Sequence, residues 1–181
     1  MTIANFKNEQ NITIRLIKLI LLWLGKKKNQ IIFMDAKLLK IIEFRKRDLN
    51  SLRELFLKVR KNTFVWADPK TFDLLDFDTQ TKGEYILTAL YDEKVIGFIS
   101  VWIRDNFIHH LYIDEAYHKK GIGKALLKAA TEKIKFPVVL KCLEKNIGAI
   151  GFYKKIGFIE KARDENENGS YILFELNQKT E

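Results

Sequence analysis

The apolar spacing of this chain changes period once, near Gly121, and that change restricts the fold more than any other feature. Upstream, three β-prone runs follow one another directly: Glu84 to Tyr91 (EYILTALY), Val95 to Ile103 (VIGFISVWI) and Phe107 to Ile113 (FIHHLYI). Only the polar turns Asp92-Glu93-Lys94 and Asp105-Asn106 separate them, so the runs pair as an antiparallel meander. From Gly121 onward, Ile122, Ala125, Leu126, Ala129 and Ile134 recur at helical spacing, the stripe of a helix buried on one side. Phe136 to Cys142 (FPVVLKC) is then continuously apolar, as a buried strand should be.

The remaining segments complete an α+β order. Leu38 to Phe44 reads as a first strand. Asp48 stands where it can cap a helix carrying Leu49, Leu52, Leu55, Phe56 and Val59. Asp68-Pro69 opens a shorter helical stretch through Phe72, Leu75 and Phe77. Asn146 caps a helix bearing Ile147, Ile150, Phe152 and Tyr153, which Gly157 ends. Ile159 to Ala162 and Tyr171 to Leu176 form a closing hairpin across a polar loop, Asp164 to Gly169. With 181 residues, 47% apolar and 30% charged, the chain has the composition of a folded domain and not of a disordered one. No internal repeat or linker divides residues 34–181, which read as one domain.

Residues 1–33 stand apart as an N-terminal basic and apolar extension. They hold Lys7, Arg15, Lys18, Lys26, Lys27 and Lys28 against the single acid Glu9, which is +5 of the chain's net +9. Ile14 to Leu24 (IRLIKLILLWL) is about half the length of a membrane-spanning helix, and three lysines follow where a signal peptide needs a cleavage site. Three readings stay open: an upstream extension outside the functional domain, a packing or dimer helix, and membrane-surface contact through residues 14–24, the least favoured. The one cysteine, Cys142, precludes an intrachain disulfide and fits a reducing, cytoplasmic compartment; it reads as a core residue. No cysteine and histidine cluster has metal-ligand spacing. His109 and His110 are neighbours on a strand, where alternation points them to opposite faces, so no metal site is expected.

Chemistry concentrates where the strand Phe107 to Ile113 gives way to Lys120-Gly121-Ile122-Gly123-Lys124 at a helix start. A helix start presents unpaired N–H groups and partial positive charge, glycine lets backbone approach a bulky anion, and Lys119, Lys120 and Lys124 add full charges. The combination suits a phosphate. It is neither a P-loop, which needs Gly-x-x-x-x-Gly-Lys-Ser/Thr, nor a dinucleotide fingerprint, because position 126 is leucine and a meander precedes it.

In this context LYIDEAYHKKGIGKALL resembles the acyl-CoA-binding motif of the GCN5-related N-acetyltransferases, Gln/Arg-x-x-Gly-x-Gly/Ala after a strand. Asn146-Ile-Gly-Ala-Ile-Gly-Phe-Tyr-Lys-Lys-Ile-Gly-Phe158 is similar to the family's next motif, and Val95-Ile-Gly-Phe-Ile fits its central hairpin. The likeness covers about residues 38–176. It departs at His118, which stands at the Gln/Arg position.

The resemblance implies a mixed, mostly antiparallel central sheet with splayed central strands and helices on both faces. It implies acetyl-CoA as co-substrate and transfer to a primary amine by direct attack in a ternary complex, with no metal. Leu111, Tyr112 and Ile113 would line the pantetheine arm, with the backbone groups of Leu111 and Ile113 pairing with it. His118, Lys119, Lys120, Gly121, Ile122, Gly123 and Lys124 would hold the pyrophosphate, and Asn146 would bond the arm. Tyr153 would protonate the leaving thiolate, and His109 would take the proton of the amine. Glu84 and Tyr112 are weaker candidates for that base. The aromatic and acidic segment with Phe64, Trp66, Phe72, Phe77, Asp73, Asp76 and Asp78 would face the acceptor, whose identity is unassigned. The family often dimerises, and no sequence feature marks a partner surface. A non-catalytic acyl-CoA-binding or regulatory module is the alternative. A specific nucleic-acid partner is not expected, since no nucleic-acid motif is present and the charge excess lies in the extension.

Overall fold

Asp92 and Glu93 both adopt positive φ, 49° and 59°, the conformation that a two-residue turn needs to match the twist of the strands it joins. The turn sets Tyr91 opposite Lys94 and so fixes the register of the first hairpin. This computed structural model describes Asp35, residues 38–167 and residues 169–178. The expectations for residues 1–33 lie outside them.

The elements run β1 (Leu39–Glu43), α1 (Leu49–Thr63), α2 (Asp76–Gln80), β2 (Tyr85–Tyr91), β3 (Lys94–Trp102), β4 (Phe107–Ile113), α3 (Ile122–Thr131), β5 (Val138–Leu143), α4 (Ile147–Lys155), β6 (Ile159–Asn166) and β7 (Gly169–Leu176). They build a seven-stranded sheet in the order β1-β2-β3-β4-β5-β7-β6. Every pairing is antiparallel except β4 with β5, which is parallel because α3 carries the chain back across the sheet between them.

Helices cover both faces. Leu52, Leu55, Phe56 and Val59 of α1 bury with Phe77, Ile86 and Phe98 on one side. Phe56 sits edge-on to Phe77 and tilted against Phe98, with centroids 5.8 and 6.0 Å away. Removing its ring would cost about 3–5 kcal/mol. On the other side α3 buries Ile122, Leu126, Leu127 and Ala130, while Ala125 and Ala129 are half-buried at the stripe's edge. Ile134 is buried beyond the helix end, so it closes the stripe from the following turn.

Two local expectations change. Asp48 occupies the cap position of α1, but its carboxylate is taken by Arg45, 2.7 Å from Nε, and makes no cap bond. The polar stretch 164–169 is mostly strand, with Asp164 opposite Tyr171 and Asn166 opposite Gly169. Among the described residues, no helix is long and apolar enough to cross a membrane, which does not bear on a β-barrel.

Candidate active site

The parallel pairing of β4 with β5 stops almost as soon as it starts. Only Phe107 with Val139 and Ile108 with Leu140 are in register; beyond them the two strands part. On the far side of β4, Asp114 N donates to Ile96 O at 2.8 Å. Antiparallel ladders alternate, so Tyr112, like Asp114, spends its backbone groups on β3, whereas those of Leu111 and Ile113 face the split. The split therefore exposes a strand edge at the two residues expected to present one. Tyr112 turns its ring to the α1 face, 5.3 Å from Phe56 and 5.8 Å from Phe98, and burial raises the pKa of its phenol.

The loop after β4 is tied at both ends. Asp114 accepts from Ala116 N at 3.1 Å and from Lys58 Nζ at 3.0 Å. His118 Nε2 donates to Ile113 O at 2.9 Å, so this side chain fastens the loop to the last carbonyl of the open edge. Lys120 Nζ donates to Ala116 O and lies over the Tyr117 ring. The α3 ladder begins with Ala125 N donating to Gly121 O, which leaves the N–H groups of residues 121–124 ahead of it.

The two glycines of this motif do different things. Gly121 has φ +81°, and a Cβ there would meet nothing within 4 Å, so glycine is needed for its backbone conformation. A Cβ on Gly123 would lie 3.0 Å from the Phe152 ring and 3.2 Å from Ile113 Cδ1. Gly123 lets α3, α4 and β4 pack closely, a role distinct from the approach to an anion that the sequence suggested.

From α4, Asn146 Oδ1 accepts from Ala149 N at 3.2 Å, the expected cap, a bond that does not use its carboxamide NH2. Tyr153 is 8% exposed among Phe152, Phe158 and Phe174. Burial first, then Cys142 on β5 and Tyr112 on β4, raise its pKa and keep the phenol protonated at neutral pH. Burial pushes the buried Cys142 thiol up to about 11, which fits a core residue and not a nucleophile.

The expectation that His109 and His110 face opposite ways fails. Val101 pairs with Ile108 but Ser100 pairs with His110, leaving His109 as the extra residue of a β-bulge. A bulge cancels alternation for one step, so both imidazoles turn toward Glu84. His109 Nδ1 is 2.6 Å from Glu84 Oε1, His110 Nδ1 is 3.8 Å from Oε2, and the rings are 4.1 Å apart. Ser100 Oγ is 2.9 Å from His110 Nδ1. Burial alone would raise the Glu84 carboxyl, but the opposing contacts, the His109 hydrogen bond foremost among them, outweigh it and hold it at about 2. Burial lowers the pKa of His110. Sequence reasoning missed Ser100 and His110 and ranked Glu84 low.

The acids of the aromatic segment are already engaged. Arg53 grips both oxygens of Asp78, at 2.7 and 2.8 Å. Arg60 pairs with Asp76 and stacks on Phe56 and Phe72, while Asp73 accepts from Leu75 N. Asp76 and Asp78 thus anchor α1 to α2, and Asp73 caps the turn before α2.

Known proteins share this architecture. YjaB from Escherichia coli superposes with a TM-score of 0.63 at 17% identity, over 76% of this chain and 96% of its own. The PaiA N-acetyltransferase of Thermoplasma acidophilum, solved with coenzyme A, gives 0.62 at 23% identity over 76% and 99%. YncA from Salmonella typhimurium, solved with acetyl-CoA, gives 0.60 at 18% over 77% and 94%. At these identities the likeness establishes the fold. The model of the acetyltransferase (GNAT) family matches residues 49–158, more than half of the chain, and with the split sheet and the α3 start in place the chain belongs to that family.

Proposed function

We propose that residues 34–181 form an N-acetyltransferase domain that moves an acetyl group from acetyl-CoA to a primary amine by direct attack in a ternary complex. The observation that carries this reading is the open edge of β4, with Leu111 and Ile113 facing the split, running straight into the α3 start at Gly121. An extended amide-bearing arm can add to that edge as a strand would. The N–H groups of residues 121–124 and the charges of Lys119, Lys120 and Lys124 suit a pyrophosphate one loop further on. Coenzyme A and acetyl-CoA in PaiA and YncA support the same ligand class on this fold.

Bound acetyl-CoA would supply the thioester carbonyl. The chain's own residues then manage two protons. His109 offers Nε2 to the amine while Glu84 holds Nδ1 and so fixes the tautomer. Tyr153, kept as a phenol by burial, donates to the departing sulfur from the opposite wall of the split. Asn146 bonds the arm through its NH2 group, and His118 keeps the edge carbonyl of Ile113 and the phosphate loop in fixed relation.

The test is acetyl-CoA titration of the full chain by calorimetry, followed by steady-state rates for Tyr153→Phe with an amine acceptor found by screening. Binding together with a fall in kcat of about 10²-fold or more, at unchanged cofactor affinity, is expected. Turnover within about two-fold of wild type would remove the general-acid role. Binding without transfer to any amine would favour a sensing module.

A further inference from the structure

We propose that Glu84, His109 and His110 form a reversible binding site for a divalent transition-metal ion, Zn2+ first among them, that silences the site when filled. The ion binding stands on geometry alone; the silencing rests on the transferase reading above.

One carboxylate oxygen and two imidazole nitrogens lie within 4.8 Å of one another here. Ligands held about 2.0–2.1 Å from a tetrahedral Zn2+ sit about 3.3 Å apart. His109 Nδ1 lies 2.6 Å from Glu84 Oε1 and His110 Nδ1 lies 3.8 Å from Oε2, one oxygen each, and these separations bracket that value. Two imidazoles and one carboxylate are a donor set that Zn2+ takes in open sites, and a set that Mg2+ or Ca2+ would pass over.

A second observation points into the same place. The Glu84 side chain is only 5% exposed, yet its Oε2 is buried with no hydrogen-bond partner. An orphan carboxylate oxygen in a closed site is costly, and a cation would satisfy it. His109 is 45% exposed at its side chain, which leaves an entry path and an open coordination position. Arg60, whose positive charge acts on His110, is offset by Asp76. Ser100 competes for the His110 Nδ1 lone pair, which makes the site weaker than a structural zinc centre and suits exchange. A cation on His109 Nδ1 forces the ring proton onto Nε2, the atom that must be bare to accept from an amine.

The experiment uses the untagged full chain, freed of metal by chelator and dialysis. ZnCl2 is titrated by calorimetry, and CoCl2 is followed by its visible absorption. One-to-one binding is expected, with affinity falling more than about tenfold in His109→Ala and in Glu84→Gln while their thermal midpoints stay near wild type. Absence of saturable binding, or binding equally tight in both variants, overturns the site. Zn2+ should also abolish transfer, with full recovery on adding EDTA; an unchanged rate at saturating Zn2+ overturns the silencing. Binding that meets these criteria in a chain that transfers to no amine would leave the ion site standing and remove the transferase reading instead.

Discussion

Two sets of carboxylates on this domain look alike in sequence and differ in kind. Asp76 and Asp78 lie beside aromatics, and each is held by an arginine: Asp76 by Arg60, which also stacks on two rings, and Asp78 by both arms of Arg53. Glu84 is more deeply buried, but its partners are histidines, and one of its oxygens has no donor. Arginine is permanently charged, so the first pair stays ionised through the neutral range and serves packing. A neutral imidazole carries a lone pair, so the second arrangement can take up a proton or an ion. A buried acid is thus read by what holds it, not by its surroundings.

Substitution should separate the two sets cleanly. The largest effect is expected for His109→Ala, a fall in kcat/KM of about 10²- to 10⁴-fold with an unchanged unfolding midpoint. Glu84→Gln keeps the shape and loses the charge that fixes the imidazole. It should cost roughly ten- to a hundredfold in kcat/KM, with cofactor affinity retained. Asp76→Asn should do the reverse. Arg60 is 13% exposed and would lose its charged partner, for about 1–3 kcal/mol of stability in denaturant titration, while kcat stays near wild type. If Asp76→Asn cut turnover more than Glu84→Gln, the division between anchoring and working acids would be wrong.

The sequence made legible what depends on near neighbours along the chain. The meander, the helix opening at Gly121 and the Asn146 cap each rest on contacts within one turn or hairpin, and all are present. Strand β6 was missed over residues 163–166 because it is exposed along its whole length, so its polar residues carry no alternation to read. The bulge at His109 was invisible for a different reason. It is set by register against Ser100 on another strand, and the carboxylate that gathers both rings is 25 residues away. The anchoring of Asp76 and Asp78 was not legible because their arginines, Arg60 and Arg53, lie on α1, where spacing shows a charged face but not what it grips.

The smallest effect expected is in acid, and it tests the anchoring set directly. Burial would raise the Asp76 carboxyl, but the Asp73 backbone donor and Arg60 bring it below its ordinary 3.8. The Arg53 hydrogen bond, ahead of an opposing burial effect, lowers Asp78 likewise. A carboxyl that binds its proton less readily in the folded chain stabilises that chain above its unfolded value. The contribution fades as pH falls through the lowered folded value. The stability gap between wild type and Asp76→Asn should therefore be full at about pH 7 and narrow steadily below about pH 4, as wild-type Asp76 itself becomes neutral. Denaturant titrations across that range measure the gap. A gap that stays constant into acid would mean that Arg60 answers to the shape of residue 76 and not to its charge. The contrast with Glu84 would then have to rest on the orphan oxygen alone.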